Sequence, residues 1–291
     1  MCIRDSDYTH LGDDLAALNG MFNRGDTFVE ALRNAERPMI VVGEAALSGD
    51  DSGALLDAAH ALAGEFGAFA EGWAGFGVLQ SAAGRVGALD VGFVPGDGGR
   101  DTAGILSAAA SGELKTLVLL GADEVISGFA KPAGLTVIYV GHHGDAGASV
   151  ADIVLPCAAY TEMAATYVNT EGRVQETRRA VSPKGEAREG WAILRALSDV
   201  MGKPLCYDTR AALLENLRES VPSFAGLGFA PGHDGREALV SSLPAMPTLS
   251  STVLRGGAGD FYLTNPIARA SKTMAECSQL NETVETPVAA E

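Results

Sequence analysis

The chain has 291 residues, 47% of them hydrophobic, and its 21 Lys and Arg against 37 Asp and Glu give a net charge of −16. A chain of this length can bury about three quarters of its unfolded surface, so it can hold a core without disulfides; a miniprotein or a lone helical bundle is excluded. Its acidic field repels a phosphate backbone, which makes nucleic acid and anionic lipid poor partners.

Residues 1–6 have neither the apolar run of a signal peptide nor the arginine-rich pattern of a transit peptide, and the expected compartment is cytosolic. Residues 26–35, with Phe28, Leu32 and Ala35 on one face, predict a helix, and 38–43 a buried strand. A helix over 50–66 follows, its stripe of Leu55, Leu56, Ala59 and Leu62 suited to a sheet face. The Gly- and Ala-rich stretch 68–85 is ambiguous. Residues 88–95 read as a strand closed by a Pro-Gly turn.

From Asp101 the rhythm is clearer: a helix to about 114, a strand over 116–121, a short helix, a strand over 135–141, then a third apolar run over 151–156. Three such runs predict a parallel sheet covered on both faces, hence a doubly wound, mostly parallel α/β fold. No run approaches the roughly 20 apolar residues of a membrane helix. Residues 189–201 form an amphipathic helix with Trp191, Leu194, Leu197 and Met201 along one side, and Asp208 is placed to cap another over 209–220. Pro, Gly and Ser interrupt 221–260, which reads as an extended connector. Asn265-Pro266 supplies a cap and first-turn proline for a short helix over 267–277, and the last dozen residues read as a frayed tail. The organisation expected is an α/β domain over 1–220, a connector over 221–260 and a C-terminal helix and tail over 261–291.

Cys2, Cys157, Cys206 and Cys277 are too scattered for a metal or iron–sulfur site and read as reduced thiols. The phosphate-binding loops of nucleotide folds are missing: Gly43 stands alone after its strand, Gly75-Phe76-Gly77 is half a fingerprint, and no P-loop is present. His142 and His143, followed by Asp145, sit where open α/β sheets place ligands. Vicinal histidines are expected to diverge, so this loop reads as polar rather than metal-binding. No serine sits in a nucleophile elbow, and Cys157 has no histidine partner in sequence. The unusual cluster is Tyr160-Thr161-Glu162 followed by Tyr167-Val168-Asn169-Thr170-Glu171-Gly172-Arg173-Val174-Gln175. Its amide, carboxylates and guanidinium around one glycine suit either a polar heterocycle or phosphate, or an internal hydrogen-bond network.

This cluster resembles the large iron–sulfur subunit of respiratory complex I, the NADH-quinone oxidoreductase, and more distantly the molybdopterin oxidoreductases. Further likeness lies in Asp7-Tyr8-Thr9-His10-Leu11-Gly12, residues 37–43, 141–145, 151–156, 187–191, and Asp260-Phe261-Tyr262-Leu263-Thr264-Asn265-Pro266 running on to Ser271. Cys157 and Met163 depart from the family pattern, which often has a small residue and Lys there, so neither takes a role from the likeness. The family's cysteine-rich N-terminal portion is absent from this sequence, and residues 1–6 match nothing in the family, as in a chain truncated upstream of Asp7.

The resemblance implies a molybdopterin-oxidoreductase-type fold without bound pterin, and a structural portion of a proton-translocating NADH:quinone oxidoreductase. Iron–sulfur clusters would lie in the absent N-terminal portion. It implies no catalytic or metal-binding residues here; Asn169, Glu171, Gly172 and Arg173 would be a vestigial pterin-facing segment. The implied partners are other peripheral-arm subunits, including the NADH- and flavin-binding one, with no nucleic acid and no direct membrane insertion. The implied place is the cytoplasmic side of the bacterial inner membrane, or the matrix side in a mitochondrion. A fragment of a molybdopterin-dependent enzyme such as a formate dehydrogenase is the alternative, and a free nucleotide-binding module a third reading.

Overall fold

The computed structural model describes residues 8, 10–12, 16–21, 27–47, 49, 51–226, 244, 247 and 260–284. Residues 1–6, most of the expected connector and residues 285–291 lie outside the described residues. The chain divides into two compact units. The first comprises Met1–Val86, Val168–Arg173 and Phe229–Gly259; the second comprises Gly87–Tyr167, Val174–Gly228 and Asp260–Glu291.

The first unit contains α1 (Ala16–Asn19), α2 (Thr27–Arg33), β1 (Ile40–Gly43), a 3₁₀ turn (Glu44–Leu47), α3 (Ser52–Glu65), β2 (Phe69–Ala70), β3 (Trp73–Ala74) and β4 (Phe76–Leu79). The ambiguous stretch after α3 thus holds three short strands. β1 and β4 pair in parallel, with Ile40 beside Phe76 and Gly43 beside Leu79. Ile40 and Phe76 pack with Ala63, Ala68 and Phe69, while Leu62 of α3 and Phe66 just past its end join Met21 and Val29. The half fingerprint around Gly75 serves packing. The Trp73 indole donates to the Pro38 carbonyl at 2.9 Å, and a Cβ on Gly75 would stand 2.1 Å from that same oxygen.

At the sequence boundary of the two units comes α4 (Arg85–Asp90), where the sequence predicts a strand over 88–95. Ala88 and Leu89 favour helix, and Gly92 at φ +70° ends it: Gly92 N–H donates to Leu89 and Phe93 N–H to Ala88, both at 2.9 Å. This is a Schellman closure, so the apolar residues beyond it never enter a ladder.

The second unit contains α5 (Thr102–Ala110), β5 (Thr116–Leu120), a 3₁₀ turn (Glu124–Ile126), β6 (Thr136–Gly141), α6 (Ala146–Val150) and β7 (Ile153–Pro156). Asp101 caps α5, accepting from Gly104 N–H at 2.8 Å. The order β5-β6-β7 is parallel throughout, as the apolar runs predict. Among the described residues the second face is covered only in part: Leu117, Leu119, Val137 and Tyr139 form the core with residues of α5 and α6, whereas on the other face Val140 is 2% exposed but Val118, Leu120 and Ile153 are 44%, 49% and 45% exposed. A strand order that advances in one direction carries its right-handed crossovers on one side.

β8 (Thr166–Val168) and β9 (Val174–Glu176) form a two-stranded sheet, followed by α7 (Gly190–Val200) and α8 (Arg210–Ser220). Thr209, not Asp208, caps α8, its hydroxyl accepting from Ala212 N–H at 3.1 Å; Asp208 is drawn away to Arg195 at 2.7 Å. Asn265 caps as expected, accepting from Ile267 and Ala268 N–H at 3.1 and 3.0 Å. The helix beyond it is broken into α9 (Pro266–Arg269) and α10 (Lys272–Val284), with Ser271 opening the second, so part of the expected tail is helical.

Candidate functional site

The sequence cluster over 169–173 folds as a tight turn in the first unit. Gly172 sits at φ +81°, a backbone state that a Cβ disfavours. The Asn169 side-chain oxygen accepts from the N–H of Glu171 at 3.1 Å and of Arg173 at 2.9 Å. Its amide nitrogen donates to Glu171 at 3.2 Å, and the Arg173 Nε donates to the same carboxylate at 2.6 Å. The Arg173 bond, then Asn169, holds the Glu171 carboxyl below its ordinary range. Asn169, Glu171, Gly172 and Arg173 are therefore brought together, and Asn169, Glu171 and Arg173 bond to one another. The turn lies beside β4, where a Cβ on Gly77 would meet the Thr170 methyl at 3.5 Å.

Open parallel sheets take ligands at the carboxyl ends of their strands. At the end of β1 stands Glu44, which accepts from Ser81 N–H at 2.5 Å and pairs with Arg85 at 3.2 Å. These bonds keep its carboxyl charged below the usual range. A carboxylate at this position repels the phosphate that a nucleotide fold would place there.

In the second unit, the ends of β5 and β6 carry two layers. The deeper is Asp123, 1% exposed, which accepts from the Tyr139 hydroxyl at 3.0 Å and from Gly147 N–H at 2.9 Å. Burial, then Asp123, raises the Tyr139 pKa well above its ordinary value, so the phenol stays a donor. The outer layer is Glu124 and Asp145, both bonded to Arg269 of α9: Arg269 Nη2 reaches Glu124 at 2.8 Å, its Nε reaches Asp145, and Nη1 donates to the Leu263 carbonyl at 3.2 Å. The C-terminal segment therefore places a guanidinium over the strand ends. Sequence reading missed Arg269, since no local pattern links residues so far apart; its one signal was a cation in the last turn of a capped apolar helix.

His142 and His143 do not diverge as expected. Their Nδ1 atoms lie 2.7 Å apart, one donating to the other, and burial together with His143 lowers the His142 pKa. Among the described residues no three His, Cys, Asp or Glu side chains gather as a metal site, and no described helix is long and apolar enough to cross a membrane. Cys157, Cys206 and Cys277 are free, and burial raises the Cys157 thiol. Cys2 lies outside the described residues.

The fold and these strand ends define a parallel α/β protein, with ion-paired and hydrogen-bonded side chains at the described strand ends of each unit. The profile of the molybdopterin oxidoreductase family matches residues 4–200, and that of the C-terminal region of the G-type NADH-ubiquinone oxidoreductase chains matches residues 225–277. The chain belongs to the molybdopterin oxidoreductase family. It is 39% identical over 285 residues to the mitochondrial NADH-ubiquinone oxidoreductase 78 kDa subunit of Neurospora crassa, covering 95% of this chain and 36% of that protein. It is 35% identical over 271 residues to the NADH-ubiquinone oxidoreductase 75 kDa subunit of Reclinomonas americana, covering 93% and 38%. Its identity to the mitochondrial iron-sulfur protein 1 of NADH dehydrogenase [ubiquinone] from Solanum tuberosum is 35% over 278 residues, covering 94% and 35%. The chain thus spans little more than a third of the length of these relatives. Their names favour the NADH-oxidoreductase reading and give the formate dehydrogenase alternative no support.

Proposed function

We propose that this chain is a supporting, noncatalytic portion of the large subunit of an NADH:quinone oxidoreductase. Its relatives' names support the assembly, and one structural observation supports the role: the Arg269 guanidinium, bound to Glu124 and Asp145, lies at the strand ends where open sheets take ligands. The residues present do not suit a pterin cofactor. Asn169, Glu171 and Arg173 bond to one another, and Glu44 opposes phosphate at the end of β1. No step of electron transfer is assigned to these residues; they hold shape, and fixed geometry is what neighbouring redox centres need. The clusters, the NADH- and flavin-binding subunit and the quinone belong in this reading to other sequence. The chain attaches peripherally through protein partners, on the matrix face of a mitochondrion or the cytoplasmic face of a bacterium.

Calorimetric titration of the purified chain with a nucleoside diphosphate, the phosphate-bearing moiety shared by dinucleotides and pterin dinucleotides, tests this. No saturable heat is expected for the chain or for Arg269→Lys. Saturable stoichiometric binding to the unmodified chain would refute this reading.

A further inference from the structure

Between β9 and α7 an irregular segment runs along the surface of the second unit, and Thr177 to Ser182 and Lys184 to Glu186 are exposed. It is held in place from beneath. Ala180 and Val181 N–H both donate to the Thr161 carbonyl, at 2.9 and 3.2 Å, Thr177 N–H donates to Ala165 at 2.8 Å, and Ala187 N–H closes back on Lys184 at 3.1 Å. Tyr160, next in sequence to the shared Thr161 acceptor, and Val181, one of its donors, are 60% and 55% exposed. An ordered segment therefore presents an aromatic ring and a branched aliphatic to water.

Its charges are unbalanced. Glu176 is taken by Arg218 at 3.1 Å and Arg210 at 3.6 Å, and Glu186 faces Arg188 at 3.5 Å. Arg178, Arg179 and Lys184 make no ion pair among the described residues. Three cations without an ion pair among the described residues, in a chain of net charge −16, are the inverse of its general surface. Solubility does not require them, because the acidic excess already supplies it. Arg and Tyr around an apolar centre are the residue types that dominate the energetics of protein interfaces, and a local field opposite to the bulk one selects the partner.

We propose that segment 177–186, together with Tyr160, is a docking surface for a carboxylate-rich face of another protein. A bilayer or a nucleic acid would meet the remaining negative charge of the chain as well as this patch, and both are disfavoured for that reason. A partner protein engages the patch alone. The proposal does not depend on which assembly the chain serves.

The test is fluorescence anisotropy of a labelled polyglutamate peptide with the full chain at low and moderate salt. Saturable binding that weakens with salt is expected, falling at least about tenfold in Arg178→Glu/Arg179→Glu and several-fold in Tyr160→Ala. Lys115→Glu/Lys203→Glu changes the net charge equally at two exposed lysines elsewhere and is expected to stay within about twofold of the parent. Circular dichroism confirms that each variant is folded. No binding, equal losses in both double variants, tighter binding to phosphatidylserine vesicles than to the peptide, or self-association through the patch in sedimentation would each overturn the proposal.

Discussion

Arg269 donates to Glu124 at 2.8 Å across 145 residues of sequence, and its other nitrogens reach Asp145 and the Leu263 carbonyl. One side chain near the C-terminus thereby closes the loops after two neighbouring parallel strands. It connects the short helix α9 to the loops at the carboxyl ends of β5 and β6.

Arg269→Ala leaves two carboxylates facing each other without their shared cation. A loss of about 1–3 kcal/mol is expected in urea unfolding, since the guanidinium and Asp145 are only partly solvated. Glu124→Gln removes a more exposed partner and is expected to cost at most about 1 kcal/mol. Burial by itself would raise Glu124, but its bonds from Arg269 and backbone N–H groups leave it lowered. A carboxyl lowered in the folded state adds stability above its unfolded pKa, about 4.3, which is lost as pH falls through the folded value. The gap between the parent and Glu124→Gln should therefore close below about pH 4.

Gly147 admits no side chain. A Cβ there would stand 2.8 Å from both Asp123 Oδ1 and the Tyr139 ring. Gly147→Ala is expected to destabilise the second unit by about 2–4 kcal/mol, because the clash lies in packed core and not at a flexible side-chain tip. Thermal melts of the variant beside Ala148→Gly, a nearby helix change without a clash, separate the effect from helix propensity.

Tyr139→Phe tests the buried phenol. Removing the hydroxyl deprives Asp123 of one donor and is expected to cost about 1–2 kcal/mol near neutral pH. A phenol raised in the folded state gives stability that is full below its unfolded pKa, about 10, and is lost as pH climbs through the folded value. Alkaline unfolding followed by fluorescence should accordingly show a smaller loss above about pH 10 in Tyr139→Phe than in the parent.

Asn169→Ala removes the acceptor that holds two N–H groups of the turn. Faster amide exchange at Glu171 and Arg173 is expected, with global stability lowered by no more than about 1 kcal/mol. Protection at the Arg173 amide unchanged from the parent would show that the turn is held by other bonds. Glu171 is exposed, and its lowered carboxyl predicts that the parent's turn loosens only as pH falls below the ordinary glutamate range.

The parallel α/β class was legible because apolar runs such as Leu117-Val118-Leu119-Leu120 carry no helical period and stand between helical segments. The same runs suggested cover on both faces, which Val140 meets and Val118, Leu120 and Ile153 do not: composition reveals an apolar face but not what lies against it. Residues 88–95 misled because Ala88-Leu89 and Val91 alternate with polar or small neighbours, and only the positive φ at Gly92 distinguishes a helix stop from a strand. At the site, Asn169 to Arg173 could be singled out as a local cluster, and whether their groups faced a ligand or each other required the three-dimensional turn. The partners of Asp123 and Arg269 were not legible, since a buried acid and a distant cation become meaningful only when the sheet brings their partners to them.

Molybdenum per chain, measured by mass spectrometry on protein purified after expression with molybdate, together with the fluorescence of oxidised pterin released by acid, tests the supporting role most directly. Molybdenum far below one atom per chain and no pterin fluorescence are expected. Stoichiometric metal with an equimolar pterin would contradict it.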